Sequence, residues 1–343
     1  MTEDTNVSVG ETADPAANVG KPNGGPSRGG RAGAVSERQG VDDPEDRHAA
    51  EPRQDGGRNA GLFLGATAVL SFSVTLPATR VAVGDMNPWF VAFARMLGAG
   101  ILALAYLMAT RAPLPRPSQV RRLLVVATGV VVGFPVFSSL ALTTQTASHG
   151  AVVTALLPTA TAIFAVLRGG ERPGIRFWCA SSAGLASVLV FVVMSGSVDA
   201  GLQLADVFLL LAVIFGGLGY AEGGVVAREL GGARTICWAL VLSLPLGIPL
   251  TVAVAAVTHP GAASPEAWLG LGYVVLFSMF LGFFAWYAGL ARGGVARVGQ
   301  LQLAQPVLTL GWSVVLLGEA VDLLTLLVGV LVLIFTILTQ RTR

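Results

Sequence analysis

The chain has 343 residues, of which 53% are hydrophobic and only 12% are charged, with a mean hydropathy of +0.70. An average soluble protein uses about 25% charged residues to cover its surface, so a water-soluble fold is excluded and most of the chain must be solvated by lipid. A net charge of +2 and two isolated cysteines, Cys179 and Cys237, exclude a nucleic-acid surface and a disulfide framework.

Residues 1–59 contain no apolar run and are rich in Gly, Pro, Ala, Asp and Arg. Such a segment cannot bury enough surface to offset its ordering entropy, so it reads as a disordered cytoplasmic tail. It lacks the apolar core of a signal peptide, which leaves the first helix as the insertion signal. From Gly61 onward apolar stretches alternate with short polar breaks. Helices are predicted near 61–83, 88–110, 122–144, 150–168, 175–195, 204–227, 235–257, 267–290, 295–317 and 322–340. Each is long enough to cross a hydrocarbon core of about 30 Å at about 1.5 Å per residue. Pro77, Pro135, Pro158, Pro245, Pro249 and Pro306 fall inside these stretches. In water they would argue against helix, whereas in a bundle neighbouring groups satisfy the carbonyls that proline frees.

The connections alternate in charge. One set carries Arg58, then Arg111, Arg116, Arg121 and Arg122, then Arg168, Arg172 and Arg176, then Arg228 and Arg234, Arg292 and Arg297, and finally Arg341 and Arg343. The other set carries Asp85, His149, Asp199, Glu266, Glu319 and Asp322 with no Lys or Arg, and Arg80 near the outer end of the first helix is its marginal exception. The positive-inside rule then places both termini in the cytoplasm and requires an even number of spans.

The fourth and ninth helices are alike. Pro158 stands 13 residues before Glu171 and Pro306 stands 13 before Glu319, and the two prolines lie 148 positions apart. The same shift pairs Arg80 with Arg228, Gly84 with Gly232, Leu142 with Leu290, Thr154 with Gln302 and Thr161 with Thr309. This predicts an all-α membrane protein of ten transmembrane helices in two five-helix repeats, 60–198 and 199–343. Five is odd, so the repeats must run oppositely through the bilayer, the arrangement that underlies alternating access around a central site.

Over about residues 61–340 the chain resembles the EamA-type, ten-helix members of the drug/metabolite transporter superfamily. The likeness rests on the two P-x12-E helices ending in Gly170-Glu171 and Gly318-Glu319, on FARMLGAG around Arg95, and on AGLARGG at the end of the eighth helix. The resemblance implies export or exchange of small metabolites, often amino acids, through a cavity lined mainly by helices one, three, four, six, eight and nine. The long acidic tail and Glu222 depart from the pattern.

Within the spans, Gln302, Gln305, Thr309 and Ser313 share one helix face. Amides facing lipid would be left unsatisfied, so this stripe should point inward with its counterparts Thr154 and Thr161. They serve either as walls of a solute site or as interhelical hydrogen bonds. The aromatic run containing Trp286 and Tyr287, with Ser138 on the third helix, lines a cavity for amphipathic solutes or anchors the interface. Arg95 lies about 10 Å deep in the second helix, where snorkelling or a structural bond to carbonyls is expected ahead of substrate contact. Glu222, the only acid placed well inside a span, is a proton-coupling group or a plain ion pair with Arg228. Pro158, Pro306, Glu171 and Glu319 are read as structural.

The expected function is secondary active transport or export of small, amino-acid-like solutes across the cytoplasmic membrane. Multidrug efflux is the alternative, with a membrane-embedded enzyme or sensor further off. No ATP loop is recognisable, and the run Gly216–Gly224 puts Glu222 where a dinucleotide loop needs glycine. Any pumping would therefore draw on H⁺, Na⁺ or the solute itself. No metal-ligand spacing or cofactor motif is seen, and the protein is expected as a monomer or homodimer.

Overall fold

The computed structural model describes residues 52–169, 174–195, 203–293, 298 and 300–341; the predicted tail through residue 51 and Glu171 lie outside them. The described residues form helices and no strand. Seven helical segments are long and apolar enough to cross a membrane. They are α1 (Asn59–Asp85), α2 (Pro88–Ala109), α3 (Pro117–Ala141), α4 (Ala147–Arg168), α6 (Leu204–Leu230), α7 (Gly232–Thr258) and α8 (Pro265–Arg292), with the shorter apolar helix α5 (Ile175–Ser195) between α4 and α6. Two further short apolar helices, α9 (Leu301–Leu317) and α10 (Leu323–Arg341), close the chain. On α10 alone Leu323, Leu326, Leu327, Val330, Leu331 and Ile334 are exposed. A girdle of that kind is stable only against lipid, and the chain is a multi-pass membrane protein.

The helix starts follow local chemistry. The side-chain oxygen of Asn87 accepts from the Trp89 backbone N–H at 3.0 Å and Pro88 occupies the first turn of α2. Ser264 caps α8 in the same way. Asp322 caps α10 through Thr325, whose hydrogen bonds hold the Asp322 carboxyl below the usual carboxylate range.

What positions a site is where these helices depart from regularity. The α1 ladder breaks at Val74, between Ser73 and Thr75. Pro77 lacks an N–H and displaces the carbonyl four residues before it, that of Ser73. The Thr309 hydroxyl donates to that carbonyl at 2.8 Å, and the Trp312 indole donates to the Ser73 hydroxyl at 3.0 Å. Helix α4 breaks at Ala155–Leu156, just before Pro158, and α9 passes from a tight 3-10 turn to α-helix at Ala304–Gln305, just before Pro306. Helices α3 and α8 each widen into π-helical turns, at Ala127–Gly133 and Val274–Leu281.

These features recur at one spacing. Pro117 and Pro265 open α3 and α8, and Gly133 and Leu281 end the π turns. Ile175 and Leu323 open α5 and α10. Each pair is 148 positions apart.

Close packing joins α3 to α6. A Cβ on Gly129 would lie 2.6 Å from the Phe215 carbonyl oxygen and 2.7 Å from the Gly219 backbone, and one on Gly219 would lie 2.9 Å from the Val130 nitrogen. Glycine is required because the opposing atoms are main chain and cannot move aside.

The two ends of the bundle differ. At one, Arg122, Arg168, Glu222, Glu229 and Gln119 meet. At the other, Arg80 caps the carbonyls of Leu142 and Thr143, His149 meets Asp206, and the Asp85 carboxylate accepts from the Ser264 N–H. Helices α4 and α6 therefore run parallel, joined at both ends. At the second end Glu319 accepts from the Ala147 and Ser148 N–H groups at 2.9 and 2.8 Å and from the Ser148 hydroxyl at 2.7 Å. An anion on a helix N-terminus is favourable. Glu319→Ala should lower unfolding stability by about 2 kcal/mol, given the usual strength of bonds to a charged acceptor. Thermal unfolding of the detergent-solubilised protein checks this.

Candidate functional site

The irregular turns converge on one small cavity, of about 20 Å³. Its polar lining is Thr75, Arg95, Thr154, Ser278 and Gln305. Its aromatic lining is Phe72, Phe134, Tyr220 and Phe283, with Leu76 and Val130 completing the wall. Thr75 follows the break in α1 and Thr154 precedes the break in α4. Ser278 lies in the π turns of α8, and Gln305 sits at the junction in α9. Breaks of this kind release backbone polar groups that lipid cannot satisfy, and membrane proteins place them where they face protein or a cavity. Phe72 and Phe283 pack with ring centroids 5.0 Å apart, and Tyr220 meets Phe283 at 5.8 Å, nearly perpendicular. These rings form an apolar wall.

Arg95 is 2% exposed and projects to this cavity. One terminal nitrogen donates to the Ser278 hydroxyl at 3.0 Å, and Ser278 is 2.8 Å from the Thr75 hydroxyl. Its Nε and Nη1 have no hydrogen-bond partner. The expected snorkelling and carbonyl bonds are not what the structure has: the guanidinium is enclosed by α1, α2 and α8 and bonds a hydroxyl. The reason is that α2 is buried at this depth by the π turns of α8, which bring Ser278 across.

The predicted polar walls divide. Gln305 and Thr154 reach the cavity, and the Gln305 side-chain oxygen is buried without a partner. Gln302 is 4% exposed, with its amide nitrogen unpartnered, but lies outside the lining. Thr309 is occupied by the Ser73 carbonyl, and Thr161 and Ser138 return their hydroxyls to Leu157 and Phe134 of their own helices. Thr309 thus joins two helices, Thr161 and Ser138 only close on their own, and none of the three lines the cavity.

Trp286 and Tyr287 are neither interfacial anchors nor lining groups. They are buried at 2% and 0%, and Trp286 packs behind Phe72 and Tyr220 at 6.2 and 6.0 Å. Tyr287 fits against Gly223. They support the aromatic wall from behind, because α8 turns this face toward α1 and α6 instead of toward lipid.

Glu222 pairs with Arg168 at 2.5 Å and Arg122 at 3.5 Å, not with Arg228. It is also not the only buried acid. Asp206, 1% exposed, accepts from Gln145 and meets the His149 Nε2 at 2.8 Å. Sequence reasoning passed over Asp206 and read His149 as a loop residue. Their positions in the first turns of two spans were the available signal. Tyr220, inside the glycine-rich stretch of α6, was likewise missed.

The sequence matches the EamA-like transporter family twice, over residues 59–193 and over residues 203–341. It is 44% identical over 281 residues to an uncharacterized transporter, YdeK, of Bacillus subtilis (strain 168), covering 82% of this chain and 97% of that protein. A solved structure titled only as the crystal structure of a protein is similar in fold, with a TM-score of 0.53 at 21% identity. That likeness covers 82% of this chain and 96% of the other.

Proposed function

The chain belongs to the EamA-like transporter family, and we propose that it carries small organic solutes across the cytoplasmic membrane by alternating access. In this reading ten helices form two inverted five-helix repeats, α1–α5 and α6–α10. The double family match and the recurrence of helix starts and π-turn ends at 148 positions support it. The arginine-rich end of the bundle is the cytoplasmic one, with both termini there, by the positive-inside rule.

The observation that carries the proposal is the convergence of the irregular turns on one polar and aromatic cavity. Central sites in transporters are built from interrupted helices at the repeat interface. The inter-repeat contacts supply the gates. His149–Asp206 joins α4 to α6 at one end, and Arg168 and Arg122 hold Glu222 at the other. Opening to either side requires one of these to part. Glu222 is then a gate residue, and the coupling ion, if any, enters elsewhere.

Counterflow of amino acids and related metabolites into proteoliposomes tests the reading; no counterflow of any of them overturns it. Gln305→Ala should reduce flux about 10- to 100-fold, the value of one or two buried hydrogen bonds to solute, without loss of folded protein. Gln302→Ala, off the lining, should cost less. Equal losses would return both amides to packing.

A further inference from the structure

We infer that the cavity binds an organic monoanion, a carboxylate on a flat apolar body, with Arg95 as its counter-charge. This deepens the transport reading and rests on it for the ligand's fate, although binding itself is separately measurable.

The argument begins with charge. A buried unpaired cation costs several kcal/mol after relaxation, so intramembrane arginines pair with acids or carbonyls, or mark a substrate path. The other arginines packed in this bundle follow the first course: Arg122 and Arg168 meet Glu222, and Arg80 meets carbonyls. Arg95 does neither. Among the described residues no carboxylate pairs with it, no acid lines its cavity, and its single bond goes to a hydroxyl. Two of its three nitrogens are unpartnered while it is 2% exposed. Among the described residues nothing completes it, which leaves the position to a ligand.

The lining fixes the class. Among the described residues Arg95 is the only charged side chain in the lining, so one negative charge is balanced and a phosphate dianion would leave excess. Guanidinium and carboxylate are also the geometrically matched pair. Phe72, Tyr220 and Phe283 offer ring faces to an apolar body beside the charge. The unpartnered oxygen of Gln305 accepts an N–H or O–H from the same ligand.

The test uses purified protein in nanodiscs, without a gradient, and matched pairs of probes: phenylacetate with phenylacetamide, and indoleacetate with indoleacetamide. Binding is read by calorimetric titration. In the natural protein each carboxylate should bind at least about tenfold tighter than its amide, equivalent to about 1.4 kcal/mol. In Arg95→Gln that ratio should collapse to about one. Should Arg95→Gln fail to fold, Ser278→Asp gives the guanidinium an internal carboxylate at its present partner and must collapse the ratio in the same way. Equal affinity within the pairs, no binding of either carboxylate, or a preference that survives either folded variant overturns the inference. Counterflow of a neutral solute without any carboxylate preference would sink it and leave the transporter reading standing. Carboxylate binding without counterflow of any metabolite would do the reverse.

Discussion

Gly129→Ala should yield little folded protein, whereas Gly311→Ala should be recovered at the natural level. Both replace a helical glycine by the best helix former, which by propensity alone gains up to about 1 kcal/mol. The difference lies in what the added methyl meets. At Gly311 there is nothing within 4 Å. At Gly129 it meets the Phe215 carbonyl oxygen and the Gly219 main chain at 2.6 and 2.7 Å, inside any allowed contact. Relief requires α3 and α6 to separate along their length. Overpacking of this kind costs about 1–3 kcal/mol where side chains can yield, and more where only backbone is present. Separation would also displace Val130 and Tyr220, which both line the cavity. Size-exclusion profiles and thermal unfolding of the two variants in detergent decide the matter. A Gly129→Ala protein as stable as the natural chain would show that α3 and α6 do not approach as described.

The sequence disclosed most of what is local and little of what is long-range. Apolar runs and proline positions are local, so helix positions were readable, and with them the breaks at Pro77, Pro158 and Pro306. Gln305 and Thr154 were placed on the inward face by the polar stripe and the 148-position shift, and both line the cavity. Thr309 was assigned to the same wall for the same reason. Its hydroxyl is instead claimed by the Ser73 carbonyl, freed by Pro77 on a helix more than two hundred residues earlier, a relation no periodicity carries. The π turns of α3 and α8 have no residue signature, and they decide that Ser278 meets Arg95. A buried charge without a local partner therefore looked structural. Asp206 and His149 stood near predicted boundaries, where loop and span are indistinguishable by composition. Their burial follows from the parallel run of α4 against α6. Trp286 and Tyr287 illustrate the converse: amphipathic side chains near a helix end suggest an interface, and only the packing of α8 on α1 removes them from it.

Glu222→Gln should open the arginine-rich end of the transporter while leaving its response to an imposed pH gradient intact. The Glu222 side chain is 5% exposed, and its partners Arg168 and Arg122 are each 45% exposed. Removing one member of a fully buried pair costs about 3–5 kcal/mol because the other stays desolvated. Here the stranded groups are the half-exposed arginines, which rehydrate, so the loss is nearer about 1 kcal/mol. That is too small to unfold the bundle and large enough to move a two-state gate. A bias of about 1–2 kcal/mol shifts the populations of the two faces by about 5- to 30-fold. The shift is measurable with a single cysteine at position 154, in a background lacking Cys179 and Cys237, labelled by an impermeant maleimide from the arginine-rich side. Labelling should accelerate by that factor in Glu222→Gln. A double-mutant cycle with Arg168→Gln should return a coupling of about 1 kcal/mol, since the first change already spends the contact. The same variant separates gate from coupling group. A gate residue alters the rate of opening on one side and leaves the proton dependence of flux unchanged, because the proton is held elsewhere. If Glu222→Gln instead abolishes the pH response at unaltered labelling rates, the carboxylate is the proton carrier and the two arginines only hold it in place.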